Sequence, residues 1–154
     1  MPAAGGVRAI VGRSLYARAV LIDTGALVAL LHPTDPHHVA ARDCLTKISA
    51  NHLSLIVTLP TIYEGYTRLL YDVGFDAAER LLDSVFGPGM SLIRTDPPDE
   101  TEARRLIDRY QALGLTLVDA VNMAVMTRLS IGACFSHDIH FLQAGFIRIP
   151  PFHL

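Results

Sequence analysis

Excess positive charge is missing from this chain. Thirteen Lys and Arg stand against fifteen Asp and Glu, a formal net charge of −2. There is no overall basic footprint for nucleic acid, so any such contact must come from a local patch or through a bound cation. Cysteine is scarce too. Cys44 and Cys134 lie in apolar contexts and make no Cys-x-x-Cys pair. That excludes a disulfide framework and reads as two reduced, buried thiols in a cytoplasmic protein. No hydrophobic run is long enough to span a bilayer, because the longest, Ala19 to Leu31, is short and is interrupted by Asp23. Internal repeats, low-complexity tracts and interdomain linkers are also lacking. What is present is one domain's worth of chain, 154 residues with 51% hydrophobic and 18% charged, enough to fill a real core.

The opening stretch, MPAAGGVRAIVGRSLYARA, carries Arg8, Arg13 and Arg18 and no acid. It weakly resembles a targeting peptide but has no apolar core of a secretory signal. The expected division is an N-terminal extension of residues 1–18 followed by a domain of residues 19–154.

Along that domain, strand-like and helix-like segments alternate. Ala19 to Ile22 reads as a buried strand, and Thr24-Gly25 turns into a short helix ending at Leu31. Asp35-Pro36 has the form of a helix start, Asp35 as N-cap and Pro36 at the first helical position, with the helix reaching about Ile48. Leu53 to Thr58 is a second strand, and Pro60 opens a helix to Tyr71. Asp76 and Glu79 have capping-box spacing for a helix that stops at Gly87-Pro88-Gly89. Met90 to Arg94 is a third strand. Asp96-Pro97 starts a helix with Ala103, Leu106, Ile107, Tyr110 and Leu113 on one stripe, closed by Gly114. Leu117 to Arg128 is again helical, Ala133 to Ser136 is a fourth strand, and Phe146 to Ile149 is a candidate fifth. The pattern predicts an α/β fold of three layers, α/β/α, around a mainly parallel central sheet of four or five strands.

Four acids stand in or beside apolar runs, where an isolated carboxylate is costly to bury. They are Asp23, Glu64, Asp119 and Asp138. In a parallel sheet, sites form beyond the carboxyl ends of the strands. Asp23 and Asp138 follow strands one and four. Asp119 is in the first turn of its helix, and Glu64 is in the second turn of the helix after strand two. Converging carboxylates suit a hard divalent cation, Mg²⁺ or Mn²⁺, which takes oxygen ligands. Such an ion neutralises charge on a phosphodiester and activates water for in-line attack. Thr24 and Thr116 lie close to Asp23 and Asp119, and could fix those carboxylates or contact phosphate. Each acid also has a local explanation. Asp23 could cap the short helix, Glu64 could pair with Arg68 one turn on, Asp119 could answer a helix dipole, and Asp138 could cap the next turn. One shared site is the more economical account of all four.

Taken in order, LIDTGALVALL, the Asp-Pro-His-His helix start, Glu64 after strand two, LTLVDAVNMAVM and FSHDIHFLQAGF-x-R-I-P resemble the PIN-domain nucleases. Within them they are most similar to the VapC-type toxins of bacterial toxin–antitoxin pairs. The resemblance covers about Leu21 to Pro150. It implies Mg²⁺- or Mn²⁺-dependent RNA cleavage, an RNA substrate, a small cognate antitoxin and a homodimer. Residue by residue it implies Asp23, Glu64, Asp119 and Asp138 as the metal-binding and catalytic acids. Thr24, Thr116 and, on its rim, Arg68 become candidate substrate contacts. The chain departs from the family at Gly25, where a small polar residue is usual. The altered Thr24-Gly25 turn and the near-neutral charge keep an alternative open, a catalytically silent PIN-like scaffold that binds RNA or a protein. The acids alone do not distinguish RNA from DNA or a small phosphoester as substrate.

Other signals compete. His32, His37 and His38 cluster at a helix start, but no cysteine pair supports structural zinc. His137-Asp138 resembles the dipeptide of all-helical HD phosphohydrolases, which the α/β pattern contradicts, so His137 and His140 are expected at the surface or rim. Arg68, Arg104, Arg105, Arg109 and Arg128 could form a basic rim for RNA, although Arg104 and Arg105 read better as a solvated helix face. Met123, Met126, Tyr63 and Tyr66 are expected in the core or an interface.

Overall fold

The computed structural model describes residues 16–152. The segment that reads like a targeting peptide lies largely outside the described residues. Five short strands form one sheet: β1 (Ala19–Ile22), β2 (Ser54–Thr58), β3 (Ser91–Ile93), β4 (Ala133–Phe135) and β5 (Ile147–Ile149). Their order is β3-β2-β1-β4-β5, and every pairing is parallel. Parallel neighbours need crossovers, and helices supply them: α1 (Thr24–Leu31), α2 (His38–Ala50), α3 (Leu59–Asp72), α4 (Phe75–Phe86), α5 (Pro97–Arg109), α6 (Leu117–Leu129) and the short α7 (Ile139–Gln143).

The period of two in a strand sends alternate side chains to opposite faces. Val20 and Ile22 of β1 join Leu55 and Val57 of β2 under α1 to α4, while Ala19 and Leu21 join Ile56 and Cys134 under α5 and α6. Both faces are therefore covered, which explains why β1 reads as an unbroken apolar run. This is the expected α/β/α sandwich with all five strands. No helix among the described residues is long and apolar enough to cross a membrane. Cys44 and Cys134 are buried and free, as expected.

Two helix starts differ from expectation. The second helix begins at His38. Asp35 Oδ1 instead accepts from the His37 amide at 2.8 Å, closing an Asx turn one step before the helix. The Asp76–Glu79 capping box does not form, because Gly74, at φ 134°, turns the chain straight from α3 into α4 and Phe75 is already helical. The Asp96 start holds: its side chain and that of Asp99 form a reciprocal capping box. The helical stripe expected to reach Leu113 breaks at Tyr110 into a 3₁₀ turn, Gln111–Leu113, closed by Gly114 in the left-handed region at φ 63°.

The sheet order creates a switch point. From β1 the chain moves outward to β2 and β3, then returns to place β4 on the other side of β1. The crevice beyond the carboxyl ends of β1 and β4 is where such sheets form sites.

Candidate active site

Asp23 leaves β1 in an extended conformation and is 4% exposed. Its amide continues the sheet by donating to the Phe135 carbonyl at 3.1 Å. Its Oδ1 accepts from the Ala26 amide at 2.7 Å and so caps α1, and its Oδ2 accepts from the Ser136 hydroxyl. The cap and the convergent site are therefore not alternatives. Capping fixes the carboxylate at the strand end.

Ser136 follows β4 and is fully buried. Its hydroxyl donates to Asp23 and accepts from the Asp138 amide at 2.8 Å, so one side chain ties two acids together. Asp138 then caps α7 through Oδ1, which accepts from the His140 amide at 2.8 Å. On the facing helix, Thr116 caps α6 by accepting from the Asp119 amide at 3.1 Å. That sets Asp119 in the first turn, where the helix dipole favours negative charge. Below it, buried Asn122 accepts from Thr58 at 2.5 Å and donates to Thr61 at 2.9 Å. This polar knot fastens α6 to the end of β2 and the start of α3. Glu64 extends from α3, half-buried, with Arg68 exposed one turn on.

All seven residues singled out from the sequence line one cavity of about 200 Å³: Asp23, Thr24, Glu64, Arg68, Thr116, Asp119 and Asp138, with Gly25 and His137 beside them. A Cβ at Gly25 would lie 3.7 Å from Asp23 Oδ1, an ordinary contact, so the missing polar side chain leaves the carboxylate undisturbed.

The acids act on one another. Burial, reinforced by Asp119 and Asp138, pushes Asp23 up to about 7 despite its hydrogen bonds to Ser136 and Ala26. Burial and then Asp138 raise Asp119, and burial and then Asp119 raise Glu64 against the pull of Arg68. A cation among them would relieve this repulsion. Carboxylate oxygens of Asp119 and Asp138 and a ring nitrogen of His140 lie within 4.8 Å of one another. The Thr24 hydroxyl, on a residue 6% exposed, has no hydrogen-bond partner among the described residues. Three close donors, Asp23 beside them and an unpartnered hydroxyl fit a divalent ion.

The family model of the PIN domain matches residues 20–147. The chain belongs to the PIN domain family. Among curated proteins, this PIN domain is 28% identical over 109 residues to ribonuclease VapC26 of Mycobacterium tuberculosis, a match covering 71% of the chain and 78% of the relative. Among solved structures it is similar to VapC20 of Mycobacterium tuberculosis, a sarcin–ricin loop cleaving toxin. The TM-score is 0.77 at 22% identity, over 84% of the chain and 98% of that structure. It is also similar to a chain of VapBC2 from Rickettsia felis, bound to a DNA fragment of its promoter, with TM-score 0.60 and 13% identity over 85% and 97%.

Two expectations about this PIN domain need correction. Arg128 is not available as a basic rim: its Nε and a terminal nitrogen hold Asp99 bidentately at 2.7 and 2.8 Å. Arg104 and Arg105 pair with Asp108 and Glu102 on the solvated face of α5. His140 is no mere rim residue, since its Nδ1 lies 3.2 Å from Asp138 Oδ1 and 3.9 Å from Asp119 Oδ2. His137 lines the cavity and stacks on His37 at 4.2 Å between ring centroids, and burial, then His37, lowers its pKa. Met123 and Met126 are core, whereas Tyr63 is exposed.

Sequence reading missed Ser136 and Asn122. Ser136 had a signal, a serine closing an apolar strand two residues before an acid, the spacing of a local side-chain turn. Asn122 had only its polarity inside an apolar helical stripe.

Proposed function

We propose that this PIN domain is a divalent-metal-dependent endoribonuclease, the toxin of a toxin–antitoxin pair, with residues 19–154 as its catalytic unit. The observation that carries the reading is the convergence of Asp23, Glu64, Asp119 and Asp138 on one cavity at the switch point of the sheet. The names of its relatives, a ribonuclease and a toxin that cleaves the sarcin–ricin loop, give the same substrate class.

Asp119, Asp138 and Asp23 would hold Mg²⁺ or Mn²⁺, which supplies charge neutralisation at the scissile phosphate and a more acidic water. Glu64 faces Asp119 from α3, and its raised pKa suits it to take a proton from attacking water. Arg68, exposed at the rim, would contact the RNA backbone, the enclosed Thr24 hydroxyl would meet only a phosphate oxygen that enters the cavity, and Thr116 would serve by capping the turn that carries Asp119. Ser136 orients Asp23 and Asp138 without touching substrate. A small antitoxin partner, a homodimer and a cytoplasmic location complete the proposal; the likeness to a VapBC chain supports the partner, and two free buried thiols agree with a reducing compartment.

Side-by-side assays on total RNA, an RNA bearing the sarcin–ricin loop, DNA and a small phosphoester test the reading. Cleavage of RNA alone is expected, with Mg²⁺ or Mn²⁺, and loss in Asp23→Asn and Asp119→Asn. Cleavage that persists in both variants or in excess chelator refutes it.

A further inference from the structure

Every acid of the site offers oxygen. His140 does not. Its Nδ1 lies 3.2 Å from Asp138 Oδ1 and 3.9 Å from Asp119 Oδ2, and these atoms fall within 4.8 Å of one another. Neighbouring ligands of a six-coordinate ion with bonds of about 2.1 Å sit about 3 Å apart, and opposite ones about 4.2 Å. The three donors are thus near the spacing of one coordination sphere before any adjustment.

His140 occupies the first turn of α7, its amide bonded to the Asp138 side chain that caps the same helix. The ring nitrogen facing the acids is enclosed and makes no hydrogen bond among the described residues. A second enclosed polar atom, the Thr24 hydroxyl on a residue 6% exposed, lines the cavity formed by the acids themselves. Two enclosed atoms without a hydrogen bond beside one carboxylate cluster, the imidazole nitrogen meeting Asp138 only as a close contact, leave room for a further species there, since buried polar groups are ordinarily satisfied.

We propose that His140 is a nitrogen ligand in this site and biases it away from Mg²⁺ toward nitrogen-accepting first-row ions, Mn²⁺ and above all Co²⁺. Mg²⁺ favours oxygen and keeps its waters, whereas imidazole gains affinity along the series from Mn²⁺ to Co²⁺. The inference rests on the metal-dependent reading above and adds to it a ligand and a selectivity.

The test is competition binding of Mg²⁺, Mn²⁺ and Co²⁺ to the whole protein against a fluorescent chelator. Pulsed electron paramagnetic resonance of the Mn²⁺ form runs beside it. Wild type should show nitrogen coupling to Mn²⁺. His140→Ala should abolish that coupling and weaken Co²⁺ binding by about tenfold or more, while Mg²⁺ binding changes by about threefold or less. His140→Asn, which sets an amide oxygen near the Nδ1 position, should keep Mg²⁺ affinity and lose the preference for Co²⁺. It also serves as the folded comparison if the alanine variant is unstable. Absence of nitrogen coupling in wild type, or an unchanged Co²⁺ to Mg²⁺ affinity ratio in both variants, overturns the proposal. In that case His140 is only a neighbour of the acids. If Asp119→Asn still abolishes Mn²⁺ binding, the metal site stands and only the His140 ligand falls. If wild type binds none of the three ions, both fall.

Discussion

Asp23→Asn should stabilise the metal-free protein, although it removes the most buried acid of the site. The folded state lifts the Asp23 pKa from 3.8 to about 7. The folded protein therefore holds this proton more tightly than the unfolded chain. The group's contribution is full below pH 3.8 and is lost as pH rises through about 7. At about 1.4 kcal/mol per pH unit, keeping Asp23 ionised at pH 8 costs the fold about 4 kcal/mol. Asparagine removes that cost. Its Oδ1 still accepts from the Ala26 amide, so the cap survives. Its amide nitrogen faces the Ser136 hydroxyl, which must turn its own hydrogen elsewhere, a loss of about 1 kcal/mol. The net gain should be about 2–3 kcal/mol at pH 8, shrinking to nothing or reversing near pH 5. Urea unfolding in excess chelator at both pH values measures it. A variant less stable than wild type at pH 8, or a difference that ignores pH, refutes the reasoning. It would mean that Asp23 is not strained by burial and its acidic neighbours.

Further predictions concern the frame. Asp99 is 2% exposed; burial raises its pKa, and the bidentate grip of Arg128 with the Asp96 amide overcomes this, leaving the value below normal. Asp99→Asn should then cost about 2–3 kcal/mol at pH 7, since it leaves Arg128 with half its bonds. A lowered folded pKa stabilises at pH values above the unfolded one and fades as pH falls through the folded one. The penalty in chemical denaturation should therefore narrow below about pH 4. Asn122→Ala takes one partner from each of the Thr58 and Thr61 hydroxyls, leaving them bonded only to each other at 3.1 Å, and should cost about 1–2 kcal/mol, measured by thermal unfolding. A Cβ at Gly65 would come within 3.1 Å of Leu81 Cδ1 and 3.5 Å of Leu27 Cδ2. Gly65→Val should thus overpack the α1–α3–α4 junction by about 1–3 kcal/mol and displace Glu64, lowering nuclease activity more than Mn²⁺ affinity.

The fold was legible because β1 and β4 are short, fully buried and apolar, β2 is so over Leu55–Val57, and the α3, α5 and α6 segments show helical spacing. The first three acids and Asp138 were legible because each interrupts or ends such a run. Helix starts were less so. Asp35-Pro36 and Asp76–Glu79 carry correct cap chemistry, yet an Asx turn and the positive φ of Gly74 decided the starts, and both depend on how neighbouring helices meet. Arg128 could not be assigned by spacing, because its partner Asp99 lies 29 residues away on another helix. The approach of His140 to Asp119 was hidden for the same reason, because Asp119 lies 21 residues earlier, on α6.

The hydrogen bond from Ser136 to Asp23 joins positions 113 residues apart. The first acid of the cavity is made early in synthesis, but the strand that completes its wall is among the last elements of the chain. A ribosome-bound chain stopped before β4 would have Asp23 and Glu64 without Ser136 or Asp138. For the ribonuclease proposed above this order matters, because the chain is assembled beside the cell's own RNA. In this topology the cavity cannot close until nearly all of the domain has been made, so the order of synthesis itself delays activity.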